Sequence, residues 1–290
     1  MRLALGTVQF GVDYGVSNTL GRIPSAMVSE ILGVALGAGV DVLDTACLYG
    51  DAEAVLGATL PPAASVRIIT KTPRFDEDGA RGPLRLREAL DGSLARLRRD
   101  RVDGLLFHHA PDLLGPHGDA LWAEATALRE DGRVAAVGVS VYAPQDAARL
   151  LDRYPLEIVQ LPLNVLDRRF SEAGLPERLA EAGVEVHVRS AFLQGLLLME
   201  PRTVPGYFAP IQGLLDGYHG ARCRAGLSPV EAALGFLRGV PGIARVVVGV
   251  TRPEELRECV AAAACPKTMD YAPYSCQDPA MVEPFRWELT

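Results

Sequence analysis

Short apolar runs rich in Val, Ile and Leu recur along this chain, separated by longer segments whose apolar residues repeat at helical spacing. The runs are RLALGT (2–7), VDVLDT (40–45), VRIITK (66–71), DGLLFH (103–108), VAAVGVS (134–140), LEIVQL (156–161), VEVHVRS (184–190) and IARVVVG (243–249). Runs apolar on both faces, each followed by a helix-period stretch, predict parallel strands covered by helices. Val28, Ile31, Leu32, Ala35 and Leu36 fall on one helical stripe after Pro24. The arginine-dense RLREALDGSLARLRRDR sets Leu86, Leu90, Leu94 and Leu97 on another, so its arginines read as the wet face of an amphipathic helix. Ser228 with Glu231, and Thr251 with Glu254, each with a proline between, fit capping boxes at helix starts. Eight strand–helix alternations predict an α/β fold of the closed (β/α)8 TIM-barrel type. The phosphate loops of open sheets, GxGxxG after the first strand or GxxxxGK(S/T), are absent from the sequence.

Composition narrows the picture. A length of 290 residues suits one barrel, so one domain over 1–290 is expected, with 265–290 as a tail near the barrel mouth. Hydrophobic residues at 49% and charged residues at 22% are the balance of a soluble globular protein. A net charge of -7 with no basic stripe argues against nucleic acid as a partner. Five cysteines, with no CxxC, are expected to be reduced thiols of a cytoplasmic protein. The apolar stretch at the N-terminus is too short for a secretory signal, and no window has the length of a membrane helix. The 196–227 segment lacks a strand pattern and lies on the active-site side of a barrel; it is either a lid or cofactor clamp, or a structural insertion.

Polar residues at the C-terminal ends of barrel strands converge on one mouth. The second strand ends at Asp44, the third at Lys71 and the fourth at the pair His108–His109, with Tyr49 in the loop after Asp44. Adjacent strand residues face opposite ways, so the two histidines do not form a metal site, and none is expected elsewhere. A phenol of pKa about 10 is a weak acid near neutrality. A neighbouring ammonium is expected to lower that value, an aspartate to fix the ammonium, and a histidine to hydrogen-bond a carbonyl oxygen as charge develops on it. Such a set protonates an alkoxide forming from a carbonyl, and the hydride that must accompany the proton implies a nicotinamide cofactor.

The chain resembles the aldo-keto reductases. The resemblance rests on LGTVQFG (5–11), VLDTACLYG (42–50), IITKTP (68–73), VDGLLFHHAPD (102–112), VGVSVY (137–142), VQLPLN (159–164) and RSAFLQGLLL (189–198), in that order along most of the chain. It implies a barrel of that family's type, here lacking the N-terminal hairpin, and a catalytic tetrad of Asp44, Tyr49, Lys71 and His108 with Tyr49 as general acid. His108 follows from counting five residues beyond Asp103; aligning a His-x-Pro ending on Pro111 selects His109 instead, which otherwise falls to the substrate side. Tyr14, Tyr142 and Trp287, and Phe192 among other aromatics, are further candidates for the substrate wall.

The resemblance also implies a cofactor pocket for NADP(H) or NAD(H). It draws on Gly6 and Thr7, on Ser140 and Gln160 for the carboxamide, on Arg189 where many members stack a tyrosine against the nicotinamide, and on Ser190, Gln194 and Gly195. At the adenosine end stand Gly249, Thr251, Arg252, Glu255 and Cys259. Gly249 and Glu255 occupy the places of a lysine and an arginine for a 2′-phosphate, which leaves NADH open against the family's NADPH habit. The implied reaction is reduction of a small polar carbonyl compound, a sugar or sugar derivative among them. Two other readings stay open: a cofactor-binding regulatory protein on the same barrel, and a non-redox barrel lyase or epimerase.

Overall fold

A computed structural model describes residues 1–61, 64–75 and 79–288. Its strands are β1 (Leu3–Gly6), β2 (Val42–Asp44), β3 (Arg67–Lys71), β4 (Gly104–Phe107), β5 (Val137–Ser140), β6 (Ile158–Pro162), β7 (Glu185–Arg189) and β8 (Arg245–Gly249). Each pairs in parallel with the next, and β8 closes on β1. All eight apolar runs become strands of this barrel, with their ends moved by at most three residues.

Alternation along each strand sorts the side chains. Leu5, Leu43, Ile68, Leu105, Val139 and Val159 point outward into the core shared with the helices. Ala4, Val42, Ile69, Leu106 and Ile158 form a separate apolar layer inside the barrel. Ile69 and Ile158 fill that layer because β4 offers glycine: a Cβ on Gly104 would stand 2.6 Å from one isoleucine methyl and 2.9 Å from the other. Two residues further along, the inward positions are Gly6, Asp44, Lys71, His108, Ser140, Gln160, Arg189 and Gly249. The period of two thus delivers one residue from every strand to the mouth.

The opposite end of the barrel is closed by charge. Arg67 Nη1 and Nη2 donate to the two Glu185 oxygens at 2.9 Å each, and Arg245 donates to Glu185 at 3.0 Å and to Asp41 at 2.6 Å. A ring nitrogen of the fully buried His187 lies 2.9 Å from the same Glu185. Buried charges persist only when paired in this way. The polar letters in VRIITK, VEVHVRS and IARVVVG were therefore a plug, which the apolar pattern alone does not announce.

The helix Gly82–Leu97 buries Leu86, Leu90, Leu94 and Leu97 as expected. Arg96 stays exposed on that wet face while its guanidinium donates at 2.7 Å to the buried carboxylate of Glu53, which also accepts from Thr70. The capping box at Ser228 and Glu231 is present with both reciprocal bonds. The second is not: Arg252 is the N-cap of Pro253–Ala264, and Thr251 instead donates its amide to Glu255 at 2.6 Å. Proline at the first helical turn supplies the start without a side-chain cap.

The 196–227 segment consists of short helical turns and the helix Gln212–Arg224. Phe208, Leu215 and Tyr218 pack with Met281 and Val282 of the tail in a second apolar cluster, so most of this segment is a structural insertion that seats the tail. Arg168 adds a hydrogen bond to the carbonyl of Tyr274 at 3.0 Å. Among the described residues no helix is long and apolar enough to cross a membrane.

Candidate active site

Asp44 ends β2 and Lys71 ends the neighbouring β3, so parallel pairing brings them side by side. Lys71 is fully buried and donates to Asp44 Oδ1 and Oδ2 at 2.7 Å each and to the Thr45 carbonyl at 2.9 Å. Its remaining contact is the hydroxyl of Tyr49 at 3.4 Å. Gln160 crosses the barrel from β6 and donates to Asp44 Oδ1 at 2.7 Å. The carboxylate that looked out of place at the end of an apolar run is therefore held on both oxygens.

Tyr49 is placed by its loop rather than by a strand. Gly11, on the short helix after β1, presses backbone to backbone against this loop: a Cβ there would lie 1.8 Å from the Tyr49 carbonyl oxygen. Gly50 has φ +54°, and a Cβ on it would stand 2.6 Å from the Gly11 carbonyl oxygen. Two glycines, one from each motif, thus fix the phenol above Lys71. His108 meets Tyr49 edge to face, ring centroids 5.8 Å apart.

The electrostatics correct one expectation. Burial pushes the Tyr49 phenol well above its ordinary value, the charge of Asp44 pushes the same way, and the Arg189 guanidinium pulls it back only in part. The phenol is therefore a protonated donor throughout the neutral range. Burial also draws Lys71 down from the ordinary lysine value, opposed by Asp44. Burial first, then the charges of Lys71 and Arg189, bring His108 down to about 3, so its imidazole is neutral.

A cavity of about 310 Å³ opens above these groups. Its wall holds Asp44, Tyr49 and His108 at one end and Gly249, Thr251 and Glu255 at the other. Between them lie Gly6 and Thr7 after β1, Gln160, and Arg189, Ser190, Gln194 and Gly195 after β7; Tyr14 and Tyr142 stand at the rim. Ser190 and Gln194 hold φ values of 59° and 55°, a left-handed backbone that non-glycine residues adopt at a cost, often where function requires it.

Several expected residues lie elsewhere. Lys71 is sealed beneath the wall, in contact with the wall residues Asp44 and Tyr49. Ser140 is buried in register with Gln160, and it is the glutamine that reaches the cavity. His109 starts the helix Ala110–Leu114 with Nδ1 3.1 Å from Asp112, which turns it away and leaves His108 as the histidine of the site. Arg252 is exposed at its helix start, and Cys259 is buried in the core on the inner side of that helix. Trp287 packs edge-on against Phe208 at 4.8 Å, outside the cavity. Its neighbour Phe285 instead meets the Tyr142 ring at 5.0 Å, so the tail does reach the mouth. Gln9, Ser17 and Asn18 line the cavity without having been singled out. Gln9 stood two residues after Thr7 in LGTVQFG, and the polar letter inside an apolar motif was the available signal.

Four buried polar atoms on the wall have no partner among the described residues: Gln9 Oε1, His108 Nδ1, Gln160 Oε1 and Arg189 Nε. An elongated cavity with unsatisfied donors and acceptors beside the Tyr49–Lys71–Asp44 group fits a nicotinamide dinucleotide. If such a cofactor is bound, Gln160 would offer an acceptor to its carboxamide, Arg189 a guanidinium at the ring end, and Thr251 with Glu255 polar groups at the far end.

Comparison with known proteins agrees with the geometry. The aldo/keto reductase family description matches residues 2–272. The NADH-specific methylglyoxal reductase of Escherichia coli is 25% identical over 295 residues, covering 90% of this chain and 89% of that protein. The 6-dehydroglucose reductase of Agrobacterium fabrum is 27% identical over 301 residues, with 93% and 90% covered. The holo form of an aldo-keto reductase from Bacillus halodurans superposes with a TM-score of 0.74 at 21% identity, covering 92% of this chain and 87% of that one, a likeness of fold. The chain belongs to the aldo/keto reductase family and is an NAD(P)-dependent, carbonyl-reducing oxidoreductase.

Proposed function

We propose that the protein reduces a small polar carbonyl compound, an aldehyde, ketone or sugar derivative, with Tyr49 as the proton donor. The observation that carries this reading is the Tyr49 hydroxyl resting 3.4 Å from a lysine that is itself clamped by Asp44. A reduced nicotinamide, when bound, supplies the hydride. Tyr49 gives its proton to the carbonyl oxygen as negative charge builds there, and the adjacent ammonium of Lys71 stabilises the phenolate left behind. Neutral His108 donates a hydrogen bond to the same oxygen, orienting it. Asp44 touches no reacting atom; it holds Lys71 in place. Ser17, Asn18 and Gln194 make the rim polar, which suits a hydroxylated substrate. The methylglyoxal and 6-dehydroglucose reductases among the relatives support the same class.

At the far end Glu255 brings a carboxylate rather than a cation, held by the amide and hydroxyl of Thr251 at 2.6 and 3.1 Å. A carboxylate accepts from a ribose hydroxyl and repels a 2′-phosphate, which favours NADH. The test is a carbonyl panel assayed with NADH and NADPH, following absorbance of the reduced cofactor. Turnover with NADH is expected to exceed that with NADPH, and Tyr49→Phe to lower kcat by roughly 10²–10⁴, the usual contribution of a positioned acid. Unchanged turnover in Tyr49→Phe would sink the assignment of the acid.

A further inference from the structure

Among the described residues that line the chemical end of the cavity, Arg189 carries a charge that no counter-charge meets. Asp44 is neutralised by Lys71, and His108 is uncharged at neutral pH. Arg189 Nη2 donates to the Val141 carbonyl at 3.0 Å, Nη1 to Ser190 Oγ at 3.4 Å, and Nε is buried without a partner. Among the described residues no carboxylate pairs with it. Its guanidinium carbon lies 3.9 Å from the centre of the Tyr142 ring. That ring softens the cation's surroundings without cancelling its charge.

Hydride transfer changes the charge of the cofactor ring. The hydride leaves C4 of a neutral dihydronicotinamide with both bonding electrons and bonds to the carbonyl carbon, while the Tyr49 proton passes to the oxygen. The ring left behind is a cation. A carbonyl oxygen at Tyr49 requires that ring to lie in the part of the cavity that Arg189 walls. An aromatic residue in the place of Arg189 would present its negative face and favour the oxidised ring; a guanidinium does the reverse.

We propose that Arg189 makes the site bind the reduced cofactor more tightly than the oxidised one, which sets the enzyme for carbonyl reduction and speeds loss of the used cofactor. The inference rests on the carbonyl-reducing reading of this same cavity. Its test is equilibrium binding of NADH and NAD⁺ to the full chain, by titration calorimetry or protein fluorescence, with Arg189→Gln, Arg189→Lys and Arg189→Tyr beside the parent. The parent is expected to bind NADH tighter than NAD⁺ by roughly ten-fold or more, the order of effect one like-charge contact produces in a partly screened site. Arg189→Lys should keep most of that ratio, Arg189→Gln should bring it close to one, and Arg189→Tyr should bring it to one or below, in favour of NAD⁺. A parent ratio near one, or a ratio that survives Arg189→Gln in a protein that melts normally, overturns the proposal; should that variant not fold, Arg189→Tyr and the parent ratio decide in the same way. Binding of neither form overturns it together with the function. A skewed ratio with no carbonyl turnover would refute the function and leave the binding inference standing.

Discussion

Lys71 shows how one ion pair serves both stability and chemistry. Its ammonium is fully buried, and nearly all of its stabilisation comes from Asp44 and one carbonyl. Removing one partner of such a pair leaves an uncompensated buried charge, at roughly 3–5 kcal/mol. Asp44→Asn is therefore expected to lower both kcat and the melting temperature, because the lysine loses its charge partner or its proton. Parallel rate assays and thermal melts check this; a variant with parental melting and parental kcat would show that Asp44 does not hold Lys71. Asp44 also receives Gln160 from across the barrel, so its loss frees a cavity-wall residue as well. At this scale the sequence was informative: a charge at the end of an apolar run has few explanations, and three in succession at strand ends pointed to one site. It misled on the sign of the Tyr49 shift, because the lowering expected from a neighbouring ammonium is outweighed by how deeply the phenol is sunk.

Among the elements, the loop after β2 depends on the short helix after β1. The approach is between backbones: Gly11 against the Tyr49 carbonyl, Gly50 against the Gly11 carbonyl. A Cβ on Gly11 cannot be absorbed by rotating a side chain, so the loop must move. Misplacing a reacting group by about 1 Å can cost on the order of 10²-fold in rate. Gly11→Ala is expected to reduce kcat by about that order while cofactor binding changes far less, read from steady-state rates and a cofactor titration; parental kcat would show that the contact does not position the acid. Strand existence was legible from apolar periodicity, and helix starts only in part. The box at Ser228 forms because the side chains of Ser228 and Glu231 each accept from the other's backbone amide, whereas at Thr251 the carboxylate that turns back is Glu255, one residue later.

The whole barrel carries charge at both ends with the apolar layer of Ala4, Val42, Ile69, Leu106 and Ile158 between them. At the closed end, hydrogen bonds from His187 and Arg67 hold the Glu185 carboxyl well below the usual carboxylate range. A depressed carboxylate adds stability that is complete above its unfolded value of about 4.3 and is lost as pH falls below it toward the folded value. Melting temperature should therefore decline steeply below about pH 5 in the parent, and Glu185→Gln should melt lower at pH 7 with a flatter acid profile. Identical profiles for the two proteins would remove Glu185 from acid stability. This plug was illegible beforehand because Arg67, Glu185 and Arg245 lie up to 178 residues apart, and only closure of the barrel brings them together. The same holds for the tail, where Phe285 rather than Trp287 reaches the mouth, a choice made by the turn at Pro284–Arg286. The position of Tyr49 is illegible in a different way, since Gly11 and Gly50 specify it through atoms they do not have. A scan that truncates side chains one by one subtracts matter and would credit the acid's position to Lys71 and Asp44 alone. Only substitutions that add a methyl group reveal what holds the phenol where the carbonyl must arrive.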